Sequence, residues 1–171
     1  MKTKYIYTAV ALAFLGSTLG CAGPSPRSKV SKESNYTTPY YEASCDAVGV
    51  NGTQALVVAT EGRDVADALS KARLSAIDAI LFKGVKTNVC SVPALVGTQG
   101  ESSTTGEWLS RFYRDKQYLR FIAYASDEPE DVLRLSKDSY KVYTRVSVSR
   151  NDLRDYLIEN KIIRGIGDVF N

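Results

Sequence analysis

The chain has 171 residues and a hydrophobic content of 44%, which suits one globular domain preceded by a leader. Of its 22 basic residues, Lys2 and Lys4 fall in the predicted leader, and the remaining 20 nearly balance the 19 acidic residues. This balance excludes the strong positive charge that is typical of nucleic-acid binders. The sequence contains no histidine, so it lacks the commonest general base near neutral pH and the commonest metal ligand.

The first 21 residues, MKTKYIYTAVALAFLGSTLGC, have the layout of a secretory signal. Two lysines precede an apolar run over residues 5–15, which is too short for a membrane-spanning helix. The ending Leu19-Gly20-Cys21 resembles the lipobox of bacterial lipoproteins, although Thr18 stands where that family prefers leucine. The resemblance implies that Cys21 becomes the first residue of the mature chain and carries fatty acids such as palmitate. A secreted protein cleaved near Ala22 is the alternative.

The residues after Cys21 predict a destination and a tether. Residue 22 is not the aspartate that retains enterobacterial lipoproteins in the inner membrane, so the resemblance implies the outer membrane. Residues 22–44 are rich in Pro, Ser, Thr and charge and have no apolar period, which predicts a flexible tether before a single domain at residues 45–171. We expect Tyr36, Tyr40 and Tyr41 to mark the first contact with the domain. An exposed tyrosine cluster that binds glycan or a partner is the alternative.

The stretch before the longest predicted helix indicates a β-hairpin. Residues 54–60 are rich in alanine and valine, which predicts a buried strand. The turn signal Asn51-Gly52 precedes this strand, so we expect a short strand at residues 47–50 to pair with it.

Apolar residues at spacings of three and four predict a long helix over residues 63–83. Its apolar stripe is rich in alanine, so we expect its backbone to lie close to a sheet. Thr60 and Asp64 are the candidate N-caps, and Gly84 stands where a C-terminal glycine belongs. Residues 84–103 contain Gly, Pro and Ser without a period, which predicts a loop.

Two aromatic segments follow that loop. Residues 104–115 predict a short helix that turns Trp108 inward over an end of the sheet, and a binding platform is the alternative role for this side chain. Residues 117–126 alternate in polarity, which predicts a strand with Tyr118 and Tyr124 on one face.

The acidic stretch DEPED at residues 127–131 predicts a solvated turn. Calcium binding is the alternative, but the stretch lacks the interior glycine of an EF-hand loop and contains Pro129. Residues 139–149 alternate more clearly and predict a strand whose solvated face carries Tyr143. Residues 132–135 add a strand segment or a loop anchor.

The end of the chain predicts a closing helix. Asn151-Asp152 is its expected cap, and Leu153, Tyr156 and Leu157 are its expected inward residues. The tail at residues 161–171 is apolar but broken by glycine, so it either docks on the domain or stays loose.

Three cysteines become two once Cys21 carries lipid. The strand at 54–60 and the helix at 63–83 run in opposite directions, so Cys45 and Cys90 reach the same edge of the domain. Outside the cytoplasm such a pair is usually a disulfide. A catalytic or metal-binding thiol is the alternative, although the sequence lacks histidine and any Cys-x-x-Cys pair.

Together these elements predict a two-layer α+β domain, in which one long helix crosses a small antiparallel sheet of three or four strands and a short helix closes the chain. The order of a strand, the segment GRDVADALSKARLSAIDAILFKGV, a tyrosine-rich strand and the ending VSVSRNDLRDYL resembles the N-terminal unit of the flagellar outer-ring protein FlgT and small outer-membrane lipoproteins built on it. The resemblance covers residues 46–160. It implies a role in assembly around the outer membrane and brings no catalytic residue with it.

These observations favour a non-enzymatic lipoprotein that is held to the envelope by its lipid and binds or scaffolds another envelope component, with a protein as the expected partner. We expect no cofactor, no metal and no nucleic acid. The first alternative is a surface module that binds glycan or another ligand through Trp108, Tyr118, Tyr124 and Tyr143. The second is an envelope hydrolase, whose acid and base would be carboxylates such as Glu101 and Glu107.

Overall fold

The computed structural model describes residues 40–88, 90–96 and 103–165, and within them the domain has seven strands and three α-helices. In chain order these elements are β1 (Tyr41–Val48), β2 (Thr53–Gly62), α1 (Val65–Asp78), β3 (Val85–Lys86), β4 (Ser91–Val92), α2 (Ser103–Arg114), β5 (Ile122–Ala125), β6 (Asp131–Ser136), β7 (Ser139–Ser149) and α3 (Arg150–Glu159). A 3-10 turn at Val50–Gly52 joins β1 to β2, a π-helical turn at Ala79–Lys83 extends α1, and a 3-10 helix at Gln117–Phe121 precedes β5.

The main sheet is antiparallel, with β2 and β7 as its interior strands. β2 lies between β1 and β7, and the other edge of β7 pairs with both β5 and β6. Strands β3 and β4 form a separate two-stranded ribbon. The predicted two-layer α+β class is therefore confirmed, and the main sheet has five strands where the sequence predicted three or four.

Helix α1 packs on one face of β2 and β7, as its alanine-rich stripe predicted. Ala68, Ala72 and Ala76 are completely buried in this contact. A Cβ atom at position 62 would collide with the backbone nitrogen of Ala68, so only glycine fits there. The hydroxyl of Thr60 donates a 2.8 Å hydrogen bond to the carbonyl oxygen of Ala68. Small side chains therefore bring the helix backbone within hydrogen-bonding distance of a strand side chain.

Both ends of α1 carry the predicted signals. The Asp64 carboxylate accepts a 2.8 Å hydrogen bond from the backbone N–H of Asp67, which makes Asp64 the N-cap. Asp67 in turn accepts a hydrogen bond from the Lys71 ammonium at 2.9 Å, and this bond is the largest of the causes that hold the pKa of Asp67 below its ordinary value. At the other end, Gly84 adopts φ +67°, the left-handed region that favours glycine.

Strand β1 begins at Tyr41, so residues 41–44 of the predicted tether belong to the sheet. The buried Tyr41 hydroxyl donates a 2.6 Å hydrogen bond to the Asp78 carboxylate in the last turn of α1. The Lys83 ammonium also lies 3.7 Å from the centre of the Tyr41 ring. Tyr41 therefore ties the start of the sheet to the end of the helix. The segment is polar in composition, but its side chains alternate between the core and solvent.

An aromatic cluster fills the core beside α1. Trp108 and Phe112 of α2 stack with ring centroids 4.6 Å apart, and Phe121 and Tyr156 pack around Phe112. The predicted helix at 104–115 is confirmed, whereas the strand predicted from residue 117 is wrong over residues 117–121, which form the 3-10 helix. The left-handed conformation of Lys116 (φ 53°) separates α2 from this helix, which turns Tyr118 into the core.

Helix α3 closes the domain and buries Leu153 and Leu157, as predicted. The helix begins at Arg150, and Ser149 occupies the N-cap position without forming a side-chain hydrogen bond. The predicted Asn151-Asp152 cap is therefore wrong. The Asn151 side chain lies instead against Gly52 in the turn between β1 and β2, where any Cβ atom would collide with it. Asn151, which the sequence assigned to capping, therefore packs against this turn.

The leader and most of the tether, residues 1–39, lie outside the described residues, as do the last six residues of the tail. Ile162 and Ile163, at the start of the tail, pack against the core. Among the described helices, none combines the length and the apolarity needed to cross a bilayer.

The predicted disulfide joins Cys45 to Cys90, with their Cα atoms 5.8 Å apart. It attaches the β3–β4 ribbon, which occupies part of the predicted 84–103 loop, to the middle of β1. The Gln54 amide donates to the backbone oxygen of Ala47 at 2.7 Å and to the Cys45 sulfur at 2.9 Å. The Thr87 hydroxyl donates to the backbone oxygen of Cys45 at 3.4 Å. These contacts order the chain around the bridge.

Replacing both bridging residues, Cys45→Ser with Cys90→Ser, is expected to lower the free energy of unfolding by about 4 kcal/mol, because the bridge closes a long loop in the unfolded chain. Urea unfolding of the variant and of the wild-type chain measures the difference, with the reduced wild-type chain as the control. Equal unfolding midpoints for the oxidised wild-type chain and the variant would contradict the prediction.

Core and edge positions are expected to differ sharply on truncation. Phe112→Ala removes a fully buried ring and is expected to cost about 3–5 kcal/mol of unfolding free energy. Leu133→Ala on β6 removes an exposed side chain and is expected to change that free energy by no more than about 0.5 kcal/mol. Thermal and urea unfolding of both variants test the pair, and similar losses at the two positions would refute the described core.

Candidate functional site

The structure separates the four aromatic residues that were predicted as a binding surface. Trp108 and Tyr118 are only 7% and 6% exposed, so the inward prediction for Trp108 is confirmed and the assignment of both residues to a binding surface is wrong. Burial also raises the pKa of Tyr118, because its ionised form would lose hydration in the core. Tyr124 is 57% exposed, and Tyr143 is partly exposed on the same face of the sheet.

That face, called the open face here, follows from the alternation of side chains along β2 and β7. Even-numbered residues of both strands point toward the helices and form the core, for example Leu56 and Val146. Odd-numbered residues point the other way. The open face is formed in rows across the strands by Glu42, Ser44, Val57, Ala59, Lys141, Tyr143, Arg145 and Ser147.

Two ion pairs cross the open face above the small residues of β2. The Lys141 ammonium lies 3.0 Å from the Glu42 carboxylate, and the Arg145 guanidinium lies 2.9 Å from the Asp46 carboxylate. Both pairs join β7 to β1, so each cation reaches over the strand between them. Arg145 also contacts Glu130 at 3.3 Å. Most charge on this face is therefore neutralised within the domain.

The Glu42 carboxylate stabilises the protonated form of Lys141. Its hydrogen bond is the largest of the causes that raise the pKa of Lys141 above the ordinary 10.5. A lysine that acts as a general base needs a lowered pKa, so Lys141 stays a cation at neutral pH.

A groove of about 370 Å³ lies on this face beside the β3–β4 ribbon, a volume within the range of small-ligand sites. Val57 and Ala59 line its floor on β2, and Tyr143 stands beside them on β7. The opposite side is formed by Glu42 and Ser44 of β1, followed by Lys86 and Thr87 of the ribbon. The lining thus combines a small apolar floor, one aromatic ring and several hydrogen-bonding groups.

Sequence reasoning identified Tyr143 but missed the other groove residues. Glu42 and Ser44 fell in the predicted tether, and Lys86 fell in the predicted loop. The alternation of apolar and polar residues from Tyr41 to Cys45 could have indicated a strand. In the structure Tyr41 and Cys45 are buried, and Glu42 and Ser44 are exposed. Lys86 has no comparable local signal, since the Cys45–Cys90 bridge brings it to β1 from a distant part of the chain.

The predicted acidic residues do not assemble into a site within the described chain. Glu107 is exposed on α2, and Glu101 lies outside the described residues, as does Cys21. In the DEPED turn, Asp127 pairs with Arg73 at 2.6 Å. No group of three or more Asp, Glu or Cys side chains in the described ranges is placed to hold a metal ion.

The edge strand β6 is a second exposed surface. Its Val132, Leu133 and Leu135 are 40%, 46% and 50% exposed, and in the described structure the strand pairs only with β7. Its outer backbone groups are consequently available for strand addition. Asp131 and Lys137 flank the apolar residues, and charges at such positions limit aggregation.

Comparison with known proteins finds no matching family model, no matching curated protein and no matching solved structure. The resemblance to the FlgT unit therefore stays a prediction.

Glu42→Gln is expected to lower the pKa of Lys141 toward 10.5, because the variant loses the carboxylate that stabilises the ammonium ion. Because the folded-state pKa is raised, the stability contributed by this pair is present below about pH 10.5 and is lost as the pH rises through the folded-state value. An NMR titration of the Lys141 ε-CH₂ group measures the shift. Lys86 serves as the control lysine, and an unchanged Lys141 titration would contradict the pairing.

Proposed function

We propose that this chain is a lipid-anchored protein of the bacterial envelope that acts by binding another envelope component, and that the open face is its binding surface. The observation that carries the proposal is the groove beside Tyr143, a concave site of ligand size on the sheet face away from the helices. The lipid on Cys21 would hold the domain at the membrane, most simply the outer membrane, through the tether.

The disulfide supports export of the domain. Cys45–Cys90 bonds of this kind persist in oxidising compartments and are rare in the bacterial cytoplasm. A secretory leader ending in Leu19-Gly20-Cys21 would deliver the chain to such a compartment. The bond and the leader are independent features of the chain, and both agree with an envelope location.

The electrostatics of the open face favour binding over catalysis. General acid–base catalysis needs groups whose pKa values are moved toward the working pH. The pKa of Lys141 moves in the opposite direction, and Arg145 is held between the carboxylates of Asp46 and Glu130. The hydrolase alternative would need a second acid facing Glu107, which is exposed on α2.

The resemblance to the FlgT unit supports a role in assembly around the outer membrane. Such a role would make the partner an envelope protein or an envelope polymer, and the near-neutral charge of the mature chain argues against nucleic acid. Reproducible recovery of one envelope component after crosslinking is the expected result. Loss of that component in a Tyr143→Ala chain would assign the contact to the open face.

Cys21→Ser is expected to move the protein from the membrane fraction to the soluble fraction, because the variant has no residue to acylate at the predicted cleavage site. Fractionation followed by mass spectrometry of the mature chain measures this. The wild-type chain should carry acyl mass on Cys21 and lack the two thiol hydrogens of Cys45 and Cys90. A Cys45→Ser, Cys90→Ser chain is the matched control and should stay with membranes. Unchanged partition of Cys21→Ser would overturn the anchor.

A further inference from the structure

The side chains of the open face favour some classes of ligand over others. The groove is lined by the Ser44 and Tyr143 side chains around a floor formed by Val57 and Ala59, and the Thr87 hydroxyl beside them hydrogen-bonds the backbone oxygens of Cys45 and Cys90. A pyranose ring has matching properties, since its C–H face packs on an aromatic ring or a small apolar floor and its hydroxyls need donors and acceptors. Tyr143 supplies the aromatic ring, and the Lys141 ammonium lies over one side of it, 5.5 Å from the centroid, so a sugar would stack on the other side.

From this match we propose that the envelope component bound by the open face is a saccharide chain, with the Tyr143 ring as its stacking platform. The inference rests on the proposed function, because it names the class of ligand that the open face takes.

The paired charges favour a ligand of low net charge. Lys141 is neutralised by Glu42, and Arg145 is neutralised by Asp46, so a strongly anionic polymer would have to displace these carboxylates. Lys86 is exposed at the rim of the groove and can meet a carboxylate carried by an acidic sugar. A nucleic acid would instead need a surface of uncompensated positive charge.

A second tyrosine extends the platform along the sheet. Tyr124 of β5 pairs with Ser147, which is four residues beyond Tyr143 on β7. Four residues of a strand span about 13 Å, so the two tyrosines suit a chain of several sugars better than a single one. Arg145 lies between them on β7, and its guanidinium is held by the Asp46 and Glu130 carboxylates.

An extended peptide fits this face less well than a saccharide. A peptide strand gains its binding energy from backbone hydrogen bonds at a sheet edge, and the edge strands of the described sheet are β1, β5 and β6. The floor of the groove lies on the interior strand β2, whose backbone groups already pair with β1 and β7. Side chains alone recognise a ligand at this position.

Calorimetric titration of the full chain, purified in detergent, tests the proposal. The probes are an N-acetylglucosamine oligomer, peptidoglycan glycan strands freed of peptide and the core oligosaccharide of lipopolysaccharide. Saturable binding of at least one probe is expected, and the probe that binds identifies the source of the sugar. Tyr143→Ala is expected to weaken binding by about tenfold, because it removes the ring.

Two variants and one measurement on the wild-type chain serve as controls. Tyr143→Phe keeps the ring and is expected to weaken binding by no more than about threefold. Tyr140→Ala changes the same strand on its helix side and should leave binding unchanged. In wild-type NMR spectra, saturating sugar should shift the methyl signals of Val57 and Ala59 and leave those of the neighbouring Val58, which faces the core.

The failure of this inference is distinguishable from the failure of the proposed function. If none of the three probes binds while the chain is lipidated and recovers an envelope component, the saccharide assignment is wrong and the binding role stands. Equal affinity of Tyr143→Ala and the wild-type chain would also overturn it. Capture of a protein and no glycan by a photo-crosslinking amino acid at position 44 would overturn the saccharide assignment as well.

Discussion

The register between β2 and β7 is the constraint on which both faces of the sheet depend. Ten consecutive residue pairs hold these strands together. A slip of one residue on β7 would turn Val146 toward solvent and Arg145 into the core, where an unpaired charge is strongly unfavourable. The same register places Tyr143 beside Ala59 on the other face. The register that fills the core therefore also forms the floor of the groove.

The helices and the bridge were predictable because their signals are local or follow from chain direction. Three features of α1 were predicted from the sequence and have the predicted roles in the structure, namely the alanine stripe, the Asp64 N-cap and the terminal Gly84. The pairing of Cys45 with Cys90 followed from a strand and a helix that run in opposite directions. The strand at residues 139–149 was also correct, since its alternation is long enough to outweigh accidental patterns.

The errors arose where tertiary contacts override local pattern. Tyr41 reads as part of a polar tether, yet its bond to Asp78 and its ring contact with Lys83 draw it into the sheet. Residues 117–121 alternate like a strand, but packing against Phe112 turns them into a 3-10 helix. Trp108 was correctly predicted to face inward, and its burial and its stack on Phe112 exclude the alternative of a binding platform. Only part of the groove could be predicted from the sequence, because one of its sides comes from the distant β3–β4 ribbon.

The bridge that holds this ribbon also affects which edge of the sheet can pair with a strand of another molecule. At Cys45 the bridge and the Thr87 hydroxyl obstruct the outer border of β1, whereas β6 is unobstructed in the part of the chain that the structure describes. Pairing with a strand of a second copy would therefore favour the border formed by β5 and β6, which lie along the same side of β7. The disulfide thus shields part of the border of β1 from strand addition, in addition to stabilising the fold.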